Sequence, residues 1–199
     1  MRSFTLLSLG LICFAPLGLP VTAQTAHDVS LIDRPAQWAQ SVPGVTVENL
    51  HRVTPVFYRS AQFSRDDVAQ LQKLGIKTVI SFRAFNSDDK VLMGSGIAIA
   101  RILINTWDID DEEVVQALKT LASVRPNKKG PFLIPCQHGA DRTDLISALY
   151  RVLYQGWSKE QALDEMKEGG YGFHSVWRNI QRYMNDVDID ALRLAVDAG

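Results

Sequence analysis

The fold is decided by the stretch IPCQHGADRT, which occupies residues 134–143. The apolar run Phe132–Ile134 leads into it and predicts a short buried strand. After it, Leu145, Leu149 and Val152 recur at helical spacing, and Gly156 is placed to end that helix. A buried strand that passes through a short loop into a helix is the building unit of an α/β sheet, and ligands bind such sheets at the carboxyl ends of the strands.

The residues of this loop predict an anion site around a reactive thiol. The helix that follows supplies unpaired N–H groups and the positive end of its dipole, which favour a phosphate. Gly139 lets the backbone turn tightly, and Arg142 can grip two phosphate oxygens with its planar fork. The same positive surroundings favour the thiolate form of Cys136. The alternative is a buried structural cysteine beside a surface arginine.

The flanking sequence alternates between strand and helix patterns on both sides of the loop. This alternation predicts an α/β sandwich with a mostly parallel central sheet, helices on its faces and a helical C-terminal cluster. The predicted strands are 50–53, 56–58, 78–82, 97–104 and 132–134. The predicted helices are 64–74, 110–124, 142–156, one that Ser158 opens with a capping box, 175–184 and 188–196.

The first 23 residues resemble a secretory signal peptide rather than part of the fold. Arg2 precedes a broken apolar stretch, and small residues suit cleavage after Ala23. We therefore expect residues 1–23 to be a signal peptide, 24–44 a loosely structured lead-in and 45–199 the folded domain. The expected location is the periplasm or the exterior, with no stable membrane insertion after cleavage; the alternative is an uncleaved anchor. Cleavage leaves Cys136 as the only cysteine.

Composition excludes several other classes of function. The 199 residues carry a formal net charge of -1, so there is no general positive field for nucleic acid. His27, His51 and His174 show no metal-ligand spacing, so we expect neither a metal site nor a cofactor. We expect a monomer.

The pattern Cys-x5-Arg-Thr, with YRSAQ at 58–62 and TVISF at 78–82, resembles the dual-specificity branch of the protein tyrosine phosphatases. The resemblance spans nearly the whole chain after residue 23. It implies a phosphocysteine mechanism without a metal, acting on a phosphorylated protein. Cys136 would be the nucleophile, Arg142 would bind the phosphoryl group, and Thr143 would stabilise the sulfur as it leaves. The backbone N–H groups of the intervening residues would complete the cradle: Gln137, His138, Gly139, Ala140 and Asp141.

The reaction also needs a group that protonates the leaving oxygen and later activates water. In the family this group is an aspartate on a loop before a helix. Asp108, Asp110 and Asp111 precede the helix predicted over 110–124. Asp110 is placed to cap that helix, because Glu113 follows three residues later. Asp108 is therefore the candidate acid and base.

Two residues depart from the family pattern. Pro135 stands where the family usually has a histidine that braces the loop, and Asp144 stands where it usually has glycine. We expect the Asp144 carboxylate to compete electrostatically with a bound phosphate. Arg59 is interpreted as one partner of a structural ion pair rather than as a phosphate ligand.

The loop composition favours phosphotyrosine as the substrate, with possible phosphoserine or phosphothreonine activity. Relatives that act on inositol phosphates tend to carry lysines inside the loop, whereas its interior positions here contain none. Two alternatives remain open: an inositol phosphate or phosphoinositide phosphatase, and a weakly active or inactive pseudophosphatase that binds phosphotyrosine. A rhodanese-like sulfur transferase is disfavoured by the Cys-x5-Arg-Thr signature.

Overall fold

The computed structural model describes residues 34–83, 88–124 and 130–198. The expected signal peptide and the first part of the expected lead-in lie outside these residues. Within the described ranges, no helix is long and apolar enough to cross a membrane.

The described residues form a mixed sheet of six strands in the order β1-β2-β3-β6-β4-β5. Strands β3, β6, β4 and β5 run parallel to one another, while β1 and β2 extend the sheet antiparallel beyond β3. This confirms the predicted α/β class with a mostly parallel sheet. The strands are β1 Gln40–Ser41, β2 His51–Thr54, β3 Phe57–Ser60, β4 Thr78–Ser81, β5 Ala98–Arg101 and β6 Phe132–Pro135.

Helices cover both faces of the sheet. They are α1 Val68–Lys73, α2 Asp88–Leu92, α3 Asp111–Val124, α4 Arg142–Gln155, α5 Lys159–Glu168, α6 Arg178–Asp186 and α7 Ile189–Asp197. Successive residues of β6 enter opposite cores, because side chains alternate across a strand. Phe132 and Ile134 pack in the larger core with α3 to α7, whereas Leu133 packs in the smaller core with α1. A strand buried on both faces needs an unbroken apolar run, as β6 has.

The folded unit begins earlier than the predicted boundary at Val45. Strand β1 pairs with β2 in the sheet. Ala39 is only 1% exposed, and its N–H donates to the Glu165 carboxylate at 2.6 Å. The second half of the expected loose lead-in is therefore ordered, because it supplies an edge strand and a buried contact to α5.

The N-terminal caps predicted for α5 and α3 are confirmed. Ser158 forms a complete capping box with Gln161 at the start of α5, and Asp110 accepts the Glu113 N–H at 3.0 Å. Helix α1, however, starts at Val68 rather than Ser64. The Asp67 carboxylate accepts bonds from the backbone and hydroxyl of Ser64, which closes a separate turn before the helix.

Strand β5 is shorter than the predicted span of 97–104. Its last residue, Arg101, pairs with Ser81, the last residue of β4. The ladder ends there because the partner strand ends there.

Candidate active site

The carboxyl ends of the parallel strands meet at one edge of the sheet, and the Cys136 loop, residues 136–142, starts at that edge. Cys136 directly follows β6 and is 2% exposed. Its thiol donates to the Ala140 carbonyl at 3.0 Å, and its N–H bonds the Ser60 carbonyl at the end of β3. The loop therefore folds back over its own cysteine before α4 begins.

Gly139 packs against the backbone at the end of β3. Its φ is +70°, in the region that favours glycine. A Cβ atom at this position would lie 2.5 Å from the Ala61 backbone nitrogen and 2.5 Å from the Ser60 carbonyl carbon. Both obstacles are backbone atoms, so no side-chain movement relieves the clash, and the path of the loop requires glycine.

We expect Gly139→Ala to lower kcat/KM by about 100-fold, because displacing the loop by about an ångström misplaces the attacking atom. Steady-state kinetics on a phosphotyrosine peptide would measure the loss, and circular dichroism would check that the variant is folded. Gly172→Ala is the matched control. Gly172 also has positive φ, at +83°, but a Cβ there meets nothing within 4 Å. Equal kinetics for Gly139→Ala and wild type would contradict this description of the loop.

Three carbonyl groups of the loop are held from outside. The carbonyls of residues 137, 138 and 139 accept bonds from the Gln62 N–H at 3.4 Å, Asn49 Nδ2 at 2.9 Å and Arg59 Nη2 at 2.6 Å, respectively. In a planar trans peptide, the next N–H points opposite to the carbonyl. The N–H groups of residues 138, 139 and 140 therefore point away from these donors, and they donate to none of the described residues. Backbone N–H groups that are left free in a loop are suited to an anion.

Arg142 and Thr143 add buried donors that lack partners. Arg142 donates from Nη1 to the Phe82 carbonyl at 3.0 Å, which fixes the direction of its side chain. Its Nε atom and the Thr143 hydroxyl are buried and have no hydrogen-bond partner among the described residues. A buried donor without a partner destabilises the folded chain. A bound anion or an ionised sulfur would accept hydrogen bonds from these donors and remove that cost.

Arg59 forms a buried ion pair with Asp144, and the interpretation of Arg59 as a structural residue is confirmed. The guanidinium lies 3.8 Å from the centre of the Tyr171 ring. Burial raises the pKa of the Asp144 carboxyl to about 6, while Arg59 opposes this shift. Asp144 therefore braces the loop through Arg59, and this pairing offsets the negative charge that was expected to compete with a phosphate.

Asp141 and His174 connect the end of the loop to the segment between α5 and α6. Asp141 has a φ of +45° and does not cap α4 with its side chain. Its carboxylate instead accepts the His174 N–H at 3.0 Å and lies 2.9 Å from His174 Nδ1. Gln137 and His138 are exposed at the rim, whereas Ala140 is buried. Of the predicted cradle residues, only Gln137 and His138 thus present side chains to solvent.

His51 packs behind Tyr171, and burial lowers its pKa to about 4. Below pH 6.5 the unfolded chain binds a proton at this imidazole, while the folded chain binds it only near pH 4. The folded chain therefore loses stability as the pH falls from 6.5 to about 4.

We expect the unfolding free energy of wild type to drop by about 2 kcal/mol more than that of His51→Gln between pH 7 and pH 4.5. Urea unfolding at both pH values measures this difference, and identical pH dependence would refute it.

Asp108 lies in the connection between β5 and α3, which begins at the carboxyl end of β5. It is exposed and forms a small backbone bridge with Asn105. Asn179 of α6 donates to the Thr106 carbonyl at 2.8 Å, which ties this connection to the helical cluster. No hydrogen bond or ion pair within the described ranges joins Asp108 to the Cys136 loop. An acid that protonates a leaving group needs to reach the substrate rather than the cysteine.

A groove of about 600 Å³ lies between this connection and helices α3, α6 and α7, with Trp107 and Asp108 on its rim. Cys136 and Arg142 do not line it. The groove is therefore not the anion site. Among the described residues, no group of three or more His, Cys, Asp or Glu side chains is arranged to hold a metal ion.

Asn49 is a loop-bracing residue that sequence reasoning did not identify. Its φ is +54°, and its amide bridges the carbonyls of His138 and Tyr171, the latter at 2.7 Å. Asparagine is enriched among residues with positive φ. That preference hints at a turn, but no local signal connects position 49 with a loop 89 residues further along.

Comparison with known proteins gives matches over most of the chain. Residues 38–183 match the family described as DSP-PTPase phosphatase fused to NAD+ kinase. The chain is 39% identical over 168 residues to the dual specificity protein phosphatase TpbA of Pseudomonas aeruginosa strain UCBPP-PA14, which covers 83% of this chain and 74% of the relative.

Solved structures extend the likeness to three dimensions. The crystal structure of a cysteine-to-serine variant of P. aeruginosa TpbA in complex with phosphotyrosine is similar with a TM-score of 0.74 and 38% identity, covering 84% of this chain and all of that one. The core catalytic domain of the PP-IP phosphatase SIW14 from S. cerevisiae shares the fold, with a TM-score of 0.62 and 20% identity, covering 76% of this chain and 93% of that one.

Proposed function

The chain belongs to the dual-specificity and tyrosine phosphatase family, and we propose that it hydrolyses phosphotyrosine on proteins through a phosphocysteine intermediate, without a metal. Membership makes it a phosphoric monoester hydrolase; the mechanism and the substrate are the proposal. The observation that supports it is the Cys136 loop itself, which combines one buried thiol with a buried Arg142 Nε and a buried Thr143 hydroxyl that have no hydrogen-bond partner among the described residues.

In the first step the phosphoryl group sits in the loop, held by its N–H groups and by Arg142. The Cys136 sulfur attacks phosphorus in line, so that an S–P bond forms as the bond to the tyrosine oxygen breaks. Asp108 gives its proton to the leaving oxygen, which departs as a neutral phenol. The positive groups of the loop are fixed before the reaction, so they stabilise the developing charge without reorganising.

In the second step water attacks phosphorus, the S–P bond breaks and inorganic phosphate is released. Asp108, now ionised, takes a proton from that water. The Thr143 hydroxyl, which has no partner among the described residues, lies at the start of α4 directly after Arg142. In this proposal it donates a hydrogen bond to the sulfur as the S–P bond breaks. A hydrogen bond to the departing thiolate makes it a better leaving group.

The proposed substrate follows from the charges around the loop. Arg59 is neutralised by Asp144, and the exposed rim residues Gln137 and His138 include no lysine. The exposed loop residues therefore offer no lysine or arginine to a highly anionic inositol phosphate, whereas a single phosphotyrosine needs little positive charge beyond Arg142. The TpbA variant that is 38% identical to this chain was crystallised with phosphotyrosine, and this supports the choice of substrate.

The test is turnover of a substrate panel by the purified protein in the presence of a metal chelator. We expect release of phosphate from a phosphotyrosine peptide to exceed that from phosphoserine and phosphothreonine peptides and from inositol phosphates. A preference for inositol phosphates would replace the proposed substrate. Peptide binding without turnover would indicate a pseudophosphatase, and loss of activity on chelation would refute metal independence.

We also propose that residues 1–23 direct export to the periplasm and are removed after Ala23. The proposal rests on the charged start, the apolar stretch and the small residues before the cleavage point. Expression of the full chain in a Gram-negative host, followed by N-terminal sequencing of the periplasmic fraction, tests it. A protein that keeps Met1 and stays with the membrane would overturn it in favour of an anchor.

A further inference from the structure

Arg83 is a buried arginine at the edge where the Cys136 loop starts. It is 3% exposed and lies two residues beyond the end of β4. Its Nη1 donates to the Asp88 carboxylate at 3.2 Å, and the other oxygen of that carboxylate accepts from the Ser81 hydroxyl. Its Nη2 is buried without a hydrogen-bond partner among the described residues. A guanidinium buried this deeply and only partly satisfied is costly unless its charge is used.

The backbone next to Arg83 holds the phosphate-binding arginine. Phe82 gives its N–H to the Pro135 carbonyl, immediately before Cys136, and its own carbonyl receives Nη1 of Arg142 at 3.0 Å. The ion pair between Arg83 and Asp88 thus anchors the residue next to Phe82, whose carbonyl orients Arg142. Arg83 directly follows Phe82 in the chain and is therefore one residue away from the contact between Phe82 and Arg142.

Arg83 also interacts electrostatically with Arg142 and Cys136. Burial lowers the pKa of the Arg83 guanidinium and Arg142 lowers it further, whereas Asp88 and Cys136 raise it. Phe82, the residue before Arg83, donates its N–H to the carbonyl directly before Cys136, so Arg83 follows β4 beside the point where the Cys136 loop starts. Three other ionisable elements border the loop: the Arg59–Asp144 pair, the Asp141–His174 pair and Arg142.

We propose that Arg83 is a positioning residue for the phosphatase reaction, holding Arg142 through Phe82 and stabilising the Cys136 thiolate, with Asp88 limiting the strength of its charge. This rests on the proposed function. Pro135 stands where the family usually has a histidine before the nucleophile, and in this proposal Arg83, two residues beyond the neighbouring strand β4, provides positive charge instead. Arg83 touches neither substrate nor sulfur in this role, so its removal weakens the reaction without abolishing it.

The first test measures the rate of Cys136 alkylation against pH, read by mass spectrometry of the peptide that contains Cys136. This readout does not depend on turnover. We expect Arg83→Met to raise the pH midpoint by about 0.5–1 unit and to lower kcat/KM on a phosphotyrosine peptide by about 10-fold. Arg83→Lys, which keeps the charge, should restore most of the midpoint but less of kcat/KM, because lysine lacks the fork that binds Asp88.

Arg101→Met is the matched control. Arg101 pairs with Asp89, the neighbour of Asp88, but that pair is exposed, with 39% and 55% of the two side chains accessible. Water screens such a pair, so its loss should leave both the midpoint and kcat/KM within about twofold of wild type.

Asp88→Asn separates electrostatics from structural damage. An asparagine can still accept from Arg83 with its oxygen and donate to the Ser81 hydroxyl with its amide, so the contacts survive while the negative charge is lost. The midpoint should then fall by about 0.5 unit, opposite in sign to Arg83→Met. Damage to the fold would shift both variants in the same direction.

Equal midpoints in wild type, Arg83→Met and Asp88→Asn would overturn the inference, as would shifts of the same sign in both variants. If wild type turns over substrate and these midpoints do not separate, the proposed function stands and only the role of Arg83 fails. If wild type shows no turnover, the proposed function fails, and the midpoints still decide whether Arg83 acts on Cys136.

Discussion

Replacing Cys136 with serine is expected to abolish phosphotyrosine turnover, with kcat falling by at least about 10⁴-fold. A serine hydroxyl does not ionise near neutral pH, and the group that position 136 contacts, the Ala140 carbonyl, is not a base that could activate it. The serine side chain is no larger than cysteine, so the loop should keep its shape. Stopped assays of phosphate release measure the loss, and calorimetry should show that the variant still binds the phosphotyrosine peptide.

The control for this substitution is Cys13→Ser, which changes the other cysteine of the chain. Residue 13 lies in the expected signal peptide, so we expect its replacement to leave kcat unchanged. Turnover by Cys136→Ser within about 10-fold of wild type would show that another group is the nucleophile.

Replacing Arg142 with lysine is expected to lower kcat/KM by about 10³-fold. Lysine keeps the charge but cannot hold two oxygens of a phosphoryl group in one plane while also bonding the Phe82 carbonyl. The loss should appear in both KM and kcat, because the proposed contact exists in the ground state and strengthens in the transition state. Steady-state kinetics over a range of peptide concentrations separates the two.

Arg65→Lys provides the comparison. Arg65 is also an arginine that donates to backbone carbonyls, those of Lys90 and Val91, but it is exposed and far along the chain from the loop. We expect this variant to keep wild-type kinetics. If Arg142→Lys did the same, with an unchanged thermal unfolding midpoint, the assignment of Arg142 to the phosphoryl group would be wrong.

Most strands and helices were predictable because their sequences carry local signals, whereas β1 and α2 were not predicted. Phe132–Ile134 is apolar without a break, which only a strand buried on both faces requires. Ser158 and Asp110 carry their capping signals within three residues. The position of Cys136 at a strand-to-helix junction followed from the same local patterns, and so did Gly139 as the turning point.

The residues that hold the loop were harder to predict because their partners are distant in sequence. Arg59 lies 85 residues from Asp144, and Asn49 lies 89 from His138. A single sequence specifies the type of each side chain but not the pairs that the fold brings together. Asp144 was therefore expected to oppose a phosphate, when in the folded chain its charge is matched by Arg59. Strand β1 was missed for a different reason: it is two residues long, which is too short to show a periodic pattern.

The most direct test of the account is to trap the phosphoenzyme. Wild type and Thr143→Ala would be mixed with a phosphotyrosine peptide, quenched rapidly by denaturation and digested for mass spectrometry. We predict a phosphoryl group on the peptide that contains Cys136, at higher occupancy in Thr143→Ala because hydrolysis of the intermediate is slowed. Phosphate released at the normal rate without such a species, or a phosphoryl group on another residue, would contradict the proposed mechanism.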